Sequence, residues 1–278
     1  LYIKLDKRVT KINEKIMLED LNSFSKKIQG KIKFNYSLKK HTWLNIGGNA
    51  KIFFVPETLI ELKDFLLYLK KKNLSPFIIG AGSNLLISEN IQNRIFIKLG
   101  KNFNKISLTK DNVIIAGCSI LDKNVSNFAC ENHLSGLEFL SCIPGSIGGG
   151  IRMNSGCFGK EFKDVLLSVQ VMDLNGNVHT INSKNIRFDY RQTDLPKNLI
   201  FLSASFKTTK KDKTQIEENI NKKKEKKQNS QPLRVKTGGS TFKNPKNTIK
   251  KKVWELIREN VDIQISFGDS KIYEKNSN

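Results

Sequence analysis

The sequence predicts a mixed α and β protein, in which short apolar strands are interspersed with amphipathic helices. Leucines recur at intervals of three and four residues over 58–72, which is typical of a helix with one buried face. The segment from Val165 to Asp173 alternates apolar and polar residues, as a half-buried strand does. With 278 residues, 38% of them hydrophobic, the chain is long enough for one large domain or two ordinary ones.

The first forty residues are polar and rich in lysine, and they predict only one helix. Apolar runs that end at Pro, Gly or polar clusters then predict strands. The elements predicted in this half are a helix at Asn13–Lys27, a strand at Lys51–Val55, a helix at 58–72, and strands at Pro76–Ile79, Leu85–Ile87 and Ile95–Leu99.

The second half continues the pattern, and Asn175-Gly176 predicts a type I′ turn that closes a hairpin. The charged segment Lys207–Arg234 predicts a helix with a connection, and we expect a domain boundary there. The remaining predicted elements are strands at Val113–Ala116, Val165–Asp173, Val178–Ile181 and Leu199–Phe206, and helices at Leu121–Asn132 and 248–259.

The net charge of +22 allows two interpretations. One is a polyanion partner such as nucleic acid. The other is a lysine-rich composition without a special partner, and we favour it because the basic residues are spread along the chain. Only Lys222–Lys227 forms a tight run, and Ile216 and Ile220 at helical spacing indicate that this run is a solvated helix face.

The cysteines and histidines predict no metal site, because the ligands of such a site are clustered. Four cysteines are scattered without a CxxC pair, and three histidines stand apart from one another. We expect the cysteines to be small core residues in a reducing cytoplasm. No apolar run approaches the roughly 18 residues of a membrane span, and the charged N-terminus shows no secretory signal.

Two glycine-rich loops carry the strongest functional signal. Ile143–Gly159 reads IPGSIGGGIRMNSGCFG, and Gly80–Asn84 reads GAGSN after an apolar run. GAGSN lacks the third glycine of a dinucleotide fingerprint and the Gly-Lys-Ser/Thr of a P-loop. Backbone N–H groups from two such loops can hold a pyrophosphate without any lysine, and glycine allows a ligand to come close. We therefore predict a large cofactor that bears phosphate.

Two further segments offer side chains for chemistry. Arg191, in FDYRQT, is either an exposed arginine at a strand end or a fixed cation that stabilises negative charge on a substrate. Ser240, in GGSTFKNP, is either part of a plain turn or a hydroxyl presented into a cleft. No GxSxG elbow is present, so we interpret Ser240 as a proton or hydrogen-bond donor and not as a nucleophile.

Six motifs in order resemble those of the UDP-N-acetylenolpyruvoylglucosamine reductase family, in the form of its shorter branch. They lie between Thr42 and Asn278 and read TWLNIGG, IIGAGSNLLIS, LSGLEFLSCIPGSIGGGIRMNSGCFG, FDYRQT, SQPLR and GGSTFKNP. The resemblance implies an α+β fold with an FAD-binding domain of the PCMH type, similar to vanillyl-alcohol oxidase and made of two subdomains. It implies an N-terminal extension at 1–41, the FAD-binding domain at 42–208, and an incomplete substrate domain at 209–278.

The same resemblance implies a cytoplasmic flavoenzyme of peptidoglycan precursor synthesis, which we expect to be a monomer. NADPH would reduce FAD, and the flavin would pass hydride to an enolpyruvyl UDP-sugar. Arg191 and Ser240 match the family's catalytic residues, and Tyr190 and Asn244 match its substrate contacts. FAD would lie on Ile79, Gly80, Ala81, Gly82, Ser83, Asn84, Leu85 and Leu86, and on Pro144, Gly145, Ser146, Gly148, Gly149 and Asn154.

The chain departs from the family pattern in three places. Glu89 stands where an aspartate is usual, and the glycine expected shortly after it is absent. The family's catalytic glutamate near the C-terminus has no match, since Glu274 does not occupy its position. The alternative expectation is therefore a flavin-binding remnant of the family with impaired catalysis.

Overall fold

The computed structural model describes residues 14–90, 92–230, 242–245, 251–268 and 270–271. Helices and strands mix along these ranges, which confirms the predicted α+β class. The helices are α1 (Glu14–Ser25), α2 (Leu59–Lys71), α3 (Asp122–Glu131), α4 (Ile147–Arg152), α5 (Lys213–Ser230) and α6 (Val253–Asn260). Within the described ranges, none of these helices has the length and apolarity that crossing a membrane requires.

The strands range from two to eight residues and form two main sheets and several short ribbons. They are β1 (Lys31–Ser37), β2 (Asn49–Val55), β3 (Pro76–Ile78), β4 (Gln92–Ile97), β5 (Ile106–Leu108), β6 (Val113–Gly117), β7 (Leu134–Ser135), β8 (Gly156–Cys157), β9 (Lys160–Glu161), β10 (Leu166–Met172), β11 (Val178–Asn182), β12 (Phe188–Asp189), β13 (Gln192–Thr193), β14 (Ile200–Lys207), β15 (Thr209–Lys210), β16 (Ser266–Phe267) and β17 (Ser270–Lys271).

The first sheet has the order β1-β2-β4-β3, and its last three strands run parallel. The leucine face of α2 covers one side of this sheet, because Phe65, Leu66 and Leu69 lie in one buried cluster with Ile52 and Phe54. A capping box made by Thr58 and Glu61 begins the helix, as expected for a residue pair with this spacing.

The second sheet is antiparallel, with the order β11-β10-β14-β6-β5. Phe162 packs edge-to-face against Phe139 and Phe206 at the centre of its core. The two sheets share apolar contacts, since Met172, Ile200 and Leu202 belong to the buried cluster under α2. The charged helix α5 packs against α3 through Ile216 and Ile220, which form a small separate buried cluster with Cys130.

Two local predictions were wrong. Leu85–Ile87 forms only a single-residue bridge at Leu86 and no strand, because Ile87 turns into a small core under Phe53 and Phe96. The hairpin between β10 and β11 exists, but its turn is not type I′. Gly176 has a φ of +78° whereas Asn175 does not have a positive φ, and the N–H of Gly176 donates to the Asp173 carbonyl. This is a three-residue loop that ends in a left-handed glycine.

Three other elements differ from the predictions: β1 and α4 were not predicted, and α6 begins later than expected. β1 lies in the segment expected to be an extension and pairs along β2 from Lys31↔Val55 to Ser37↔Asn49, so the first sheet starts before residue 42. The short helix α4 lies inside the glycine-rich segment that was predicted as a loop. The helix predicted at 248–259 begins at Val253, because Lys252 is extended, and residues 246–250 are outside the described part.

Candidate active site

The loop after β3 is fixed by its neighbours as well as by glycine. The N–H of Ile79 donates to the Ile97 carbonyl at 2.9 Å, so the loop starts at the carboxyl end of the parallel strands. Gly82 has a φ of +72°, and a Cβ built on it would lie 1.8 Å from the carbonyl oxygen of His41. Glycine is therefore required at position 82 by contact with the chain itself, a reason that the sequence does not reveal.

The loop before α4 is anchored across the N-terminus of α3. Ile147 donates its N–H to the Ile120 carbonyl at 3.0 Å, and Gly148 donates to the Cys118 carbonyl at 2.9 Å. Ser146 is the N-cap of α4 and forms an isolated antiparallel bridge with Leu121. These bonds hold the segment 144–149 in one conformation next to the second sheet.

The two glycine-rich loops meet at Gly80 and Ser146. A Cβ built on Gly80 would lie 2.5 Å from the Ser146 hydroxyl oxygen, so a larger residue at position 80 would force the Ser146 side chain to move. The Ser146 hydroxyl is buried, and no residue in the described part of the chain forms a hydrogen bond with it. A buried polar group without a partner is unfavourable, and a ligand between the loops would supply one. The residues at this place therefore fit the phosphate part of the predicted cofactor.

The other predicted cofactor residues differ in accessibility. Ile79 is core, with 2% of its surface exposed, and Gly82 is buried. Those with open surface are Asn84, Leu86, Pro144 and Gly149, and those of intermediate exposure are Gly80, Ala81, Ser83, Leu85, Gly145 and Gly148.

Asn154 is fully buried, and its side chain forms hydrogen bonds with other residues of the protein. Its amide nitrogen donates to Glu161 at 2.9 Å and to the Asp189 carbonyl at 3.2 Å, and its amide oxygen accepts from the N–H of Lys163 at 3.1 Å. Its carbonyl accepts from the guanidinium of Arg191 at 3.5 Å. In this structure Asn154 therefore supports Arg191.

Beside the second loop lies a buried carboxyl group that the sequence analysis missed. Asp122 has no exposed surface, and among the described residues neither of its oxygens, nor the hydroxyl of Ser126 one turn later, has a partner. A Cβ on Gly145 would lie 2.6 Å from one of these oxygens. Burial raises the pKa of Asp122 well above its usual range, which favours the neutral acid at this position.

Arg191 is held by backbone on one side and by an aromatic ring on the other. Its guanidinium donates to the carbonyls of Asn154 at 3.5 Å and Gly156 at 3.3 Å, and lies 5.2 Å from the ring centre of Tyr190. Within the described residues, no carboxylate forms an ion pair with it. The positive charge is thus fixed in place and available to an anionic ligand.

Asn244 comes from more than fifty residues further along the chain and meets this group. Its amide nitrogen lies 3.5 Å from the Tyr190 hydroxyl, and its amide oxygen accepts from the N–H of Val253 at 3.1 Å, at the start of α6. The structure therefore brings together Tyr190, Arg191 and Asn244, as a shared site requires. Ser240 lies outside the described residues.

Next to Arg191 is an open cavity of about 390 Å³. Two lysines of α5 lie near its edge, since Lys223 and Lys226 are 5.8 Å and 5.4 Å from the ring centre of Phe158. Lys227 donates to the Cys142 carbonyl, so the lysine run is only partly the solvated face that was predicted. The residues lining the cavity are Gly156, Cys157, Phe158, Gly159, Lys160, Glu161, Lys163, Asp164 and Arg191.

Comparisons with known proteins identify the family. Residues 50–182 match a family described as FAD binding domain. The UDP-N-acetylenolpyruvoylglucosamine reductase of Pelagibacter ubique (strain HTCC1062) is 52% identical over 94% of this chain and 86% of its own length. The protein of that name from Rickettsia prowazekii (strain Madrid E) is 45% identical over 83% of this chain and 76% of its own length.

Solved structures show the same fold. The UDP-N-acetylenolpyruvylglucosamine reductase of Thermus caldophilus superposes with a TM-score of 0.76 at 27% identity, over 90% of this chain and 87% of that one. Physcomitrella patens BBE-like 1 shares the fold alone, with a TM-score of 0.51 at 16% identity over 68% of this chain and 44% of its own. The order of motifs, the match to an FAD-binding domain and the curated relatives agree, and the chain belongs to the UDP-N-acetylenolpyruvoylglucosamine reductase family of FAD-dependent oxidoreductases.

Proposed function

We propose that the protein reduces UDP-N-acetylglucosamine enolpyruvate to UDP-N-acetylmuramate with NADPH as the electron donor. FAD, when bound, supplies hydride transfer from NADPH to the enolpyruvyl group. The proposal extends to peptidoglycan precursor synthesis, and with it cell shape and division, by a monomeric cytoplasmic enzyme. The observation that carries it is the meeting of Tyr190, Arg191 and Asn244 beside an open cavity.

Arg191 binds the substrate carboxylate in this proposal. Addition of hydride to an enol ether places negative charge next to the carboxylate, and a fixed guanidinium stabilises that charge. Because two carbonyls hold the Arg191 guanidinium in place, it does not need to move during the reaction. Tyr190 and Asn244, whose side chains lie next to each other, position the sugar nucleotide beside Arg191.

Ser240 donates the proton that completes the product in this proposal. The role comes from its match to the family motif, two glycines before it and Asn244 four residues after it. A hydroxyl suits this step because it can donate a hydrogen bond to a developing enolate and then give up its proton. The loop residues 79–86 and 144–149 hold FAD, and we propose a supporting role for Asn154 through Arg191.

The decisive experiment measures NADPH oxidation by the purified full chain with and without UDP-N-acetylglucosamine enolpyruvate. We expect a yellow protein whose NADPH oxidation depends on the sugar nucleotide. Ser240→Ala should retain FAD and its reduction by NADPH but form product more slowly. A rate of NADPH oxidation that does not change when the sugar nucleotide is added would refute the proposal. A protein that binds flavin but shows no turnover would favour the alternative of an impaired member of the family.

A further inference from the structure

Lys98 follows β4 and reaches the first glycine of the cofactor loop. Its backbone N–H donates to the Phe54 carbonyl at 3.0 Å, which fixes the residue at the carboxyl end of the parallel strands. Its ammonium group donates to the Gly80 carbonyl at 2.9 Å. Ligands of open sheets with parallel strands bind at this end, so the charge lies where a ligand is expected.

The ammonium group of Lys98 is half-buried and lacks an opposite charge. Among the ion pairs of the described residues, none involves Lys98, and one carbonyl uses only one of its three N–H donors. Burial lowers the pKa of Lys98, and burial together with the Lys98 charge lowers the pKa of His41 to about 4. A partly desolvated cation of this kind is stabilised when an anion comes next to it.

The surroundings of Gly80 match one class of anion. The Ser146 hydroxyl, which is buried and has no partner among the described residues, lies next to Gly80. Asp122 is the acidic group near the second loop, and its burial favours the neutral form, which does not repel an anion. An ammonium, a hydroxyl and two glycine-rich loops together form donors for a pyrophosphate.

We propose that Lys98 binds the pyrophosphate of FAD and neutralises part of its charge. This inference rests on the FAD-binding part of the proposed function and does not depend on the reduction of the sugar nucleotide. It differs from the expectation that the loops hold the pyrophosphate without any lysine. The cation belongs to the first sheet and the Ser146 hydroxyl to the loop before α4, so the pyrophosphate joins the two parts.

The experiment compares three variants of the full chain. Lys98→Gln keeps a donor for the Gly80 carbonyl but removes the charge, whereas Lys98→Arg keeps the charge. Lys101→Gln removes an exposed lysine three residues away and is the matched control. Each apoprotein is titrated with FAD at low and at high KCl, with and without inorganic pyrophosphate as a competitor, and separately with UDP-N-acetylglucosamine enolpyruvate. Its melting temperature is measured with and without inorganic pyrophosphate.

We expect Lys98→Gln to raise the Kd for FAD by about 30-fold or more, the effect of removing one partner of a partly buried charge pair. Lys98→Arg should stay within a few-fold of the parent, and Lys101→Gln should match it. The difference between the parent and Lys98→Gln should shrink at high KCl, because salt screens the lost attraction. Pyrophosphate should raise the melting temperature of the parent more than that of Lys98→Gln.

Three results would overturn the inference. If Lys98→Gln binds FAD like the parent at both KCl concentrations, Lys98 only supports the loop through Gly80. If Lys98→Gln weakens the binding of the UDP-sugar and not that of FAD, the Lys98 charge binds the pyrophosphate of the UDP-sugar. If Lys98→Gln does not fold, the parent protein alone still tests the inference. Inorganic pyrophosphate that does not compete with FAD for the parent would show that no pyrophosphate site exists there. A parent that binds no FAD at all would instead refute the proposed function.

Discussion

Arg191 combines an unfavourable backbone conformation with a side chain that is held at three points. Its φ of +58° lies in the left-handed region, which costs a residue other than glycine about 1–2 kcal/mol. Such a cost persists where the surroundings fix the residue, and here the carbonyls of Asn154 and Gly156 and the ring of Tyr190 do so. The conformation aims the guanidinium at the cavity.

We therefore expect Arg191→Lys to lower kcat by about 100- to 1000-fold, the usual effect of losing a fixed electrostatic donor. Lysine keeps the charge but cannot donate to both carbonyls in one plane. Bound flavin should be unchanged. The matched control is Arg187→Lys, whose side chain is 77% exposed, and it should turn over normally. Equal kcat in the Arg191 variant and the parent would contradict the role of Arg191 in catalysis.

Asp122 gives a prediction about pH. Its folded-state pKa is raised above the usual 3.8 by burial, so the folded protein holds this proton more tightly than the unfolded chain does. The contribution to stability is complete below the unfolded pKa and is lost as the pH rises through the folded value. A tenfold difference in proton affinity between the folded and unfolded chain corresponds to about 1.4 kcal/mol.

Asp122→Asn should remove this loss, because the amide is neutral at every pH. Relative to the parent, its free energy of unfolding should rise between pH 4 and pH 8, as measured in urea on the apoprotein. The control, Asp111→Asn, replaces an exposed carboxyl group and should give no such trend. A parallel pH profile of Asp122→Asn and the parent would show that Asp122 finds a partner in solution.

At the scale of the element, α4 shows two adjacent glycines with different functions. A Cβ on Gly150 would lie 2.3 Å from the ring of Phe162, so this glycine allows the helix to pack on the core. A Cβ on Gly149 would meet nothing nearer than 3.6 Å, and Gly149 is exposed at the cofactor loop. One glycine is required for packing, whereas the other is available to a ligand.

We expect Gly150→Ala to destabilise the apoprotein by about 1–3 kcal/mol, as overpacked cores do. Gly149→Ala should leave the apoprotein as stable as the parent or slightly more stable, since alanine favours the helix. If the proposed FAD contact at Gly149 is correct, this variant should also bind FAD more weakly. Urea unfolding and FAD titration of both variants measure the two effects. Equal unfolding free energies would contradict the packing of α4 on Phe162.

The elements that the sequence predicted well are those with a sustained hydrophobic pattern and a clear boundary signal. The helix α2 has leucines on one face and a capping box, and the hairpin of β10 and β11 has alternation on both sides of Asn175-Gly176. β1 alternates in KIKFNYS but was hidden by its lysines, whose side of the strand faces water. α4 was missed because three consecutive glycines favour a loop, whereas packing of the helix on Phe162 is a tertiary contact that the sequence does not show.

The residues of the candidate site also fall into two groups, those that local sequence indicates and those that depend on tertiary contacts. The two loops and Arg191 follow from local composition and motif order, which a sequence contains. Lys98 and Asp122 were missed because their significance comes from burial without an opposite charge or partner, which appears only after folding. The contact between Tyr190 and Asn244 depends on where α6 begins, and spacing along the chain does not specify it.

At the scale of the whole molecule, the two sheets share part of one core. Met172, Ile200 and Leu202 come from the second sheet and lie in the buried cluster that α2 forms with the first. The proposed FAD site joins the same two parts, with Gly80 from one and Ser146 from the other. Apolar packing therefore couples the sheets before any cofactor binds, and the cofactor adds to this coupling.

We accordingly expect the apoprotein to unfold in one thermal transition, with circular dichroism and tryptophan fluorescence giving the same midpoint. FAD at 100 times its Kd should stabilise this single transition by about 2.7 kcal/mol, because it binds only the folded chain. Leu202→Ala, at a side chain that is 3% exposed, should cost about 2–5 kcal/mol and lower the midpoint for both probes together. The control is Leu108→Ala on β5, where the side chain is 38% exposed and the cost should be small. Separate midpoints in the apoprotein, with Leu202→Ala shifting only one of them, would show that the sheets fold independently and that only FAD couples them.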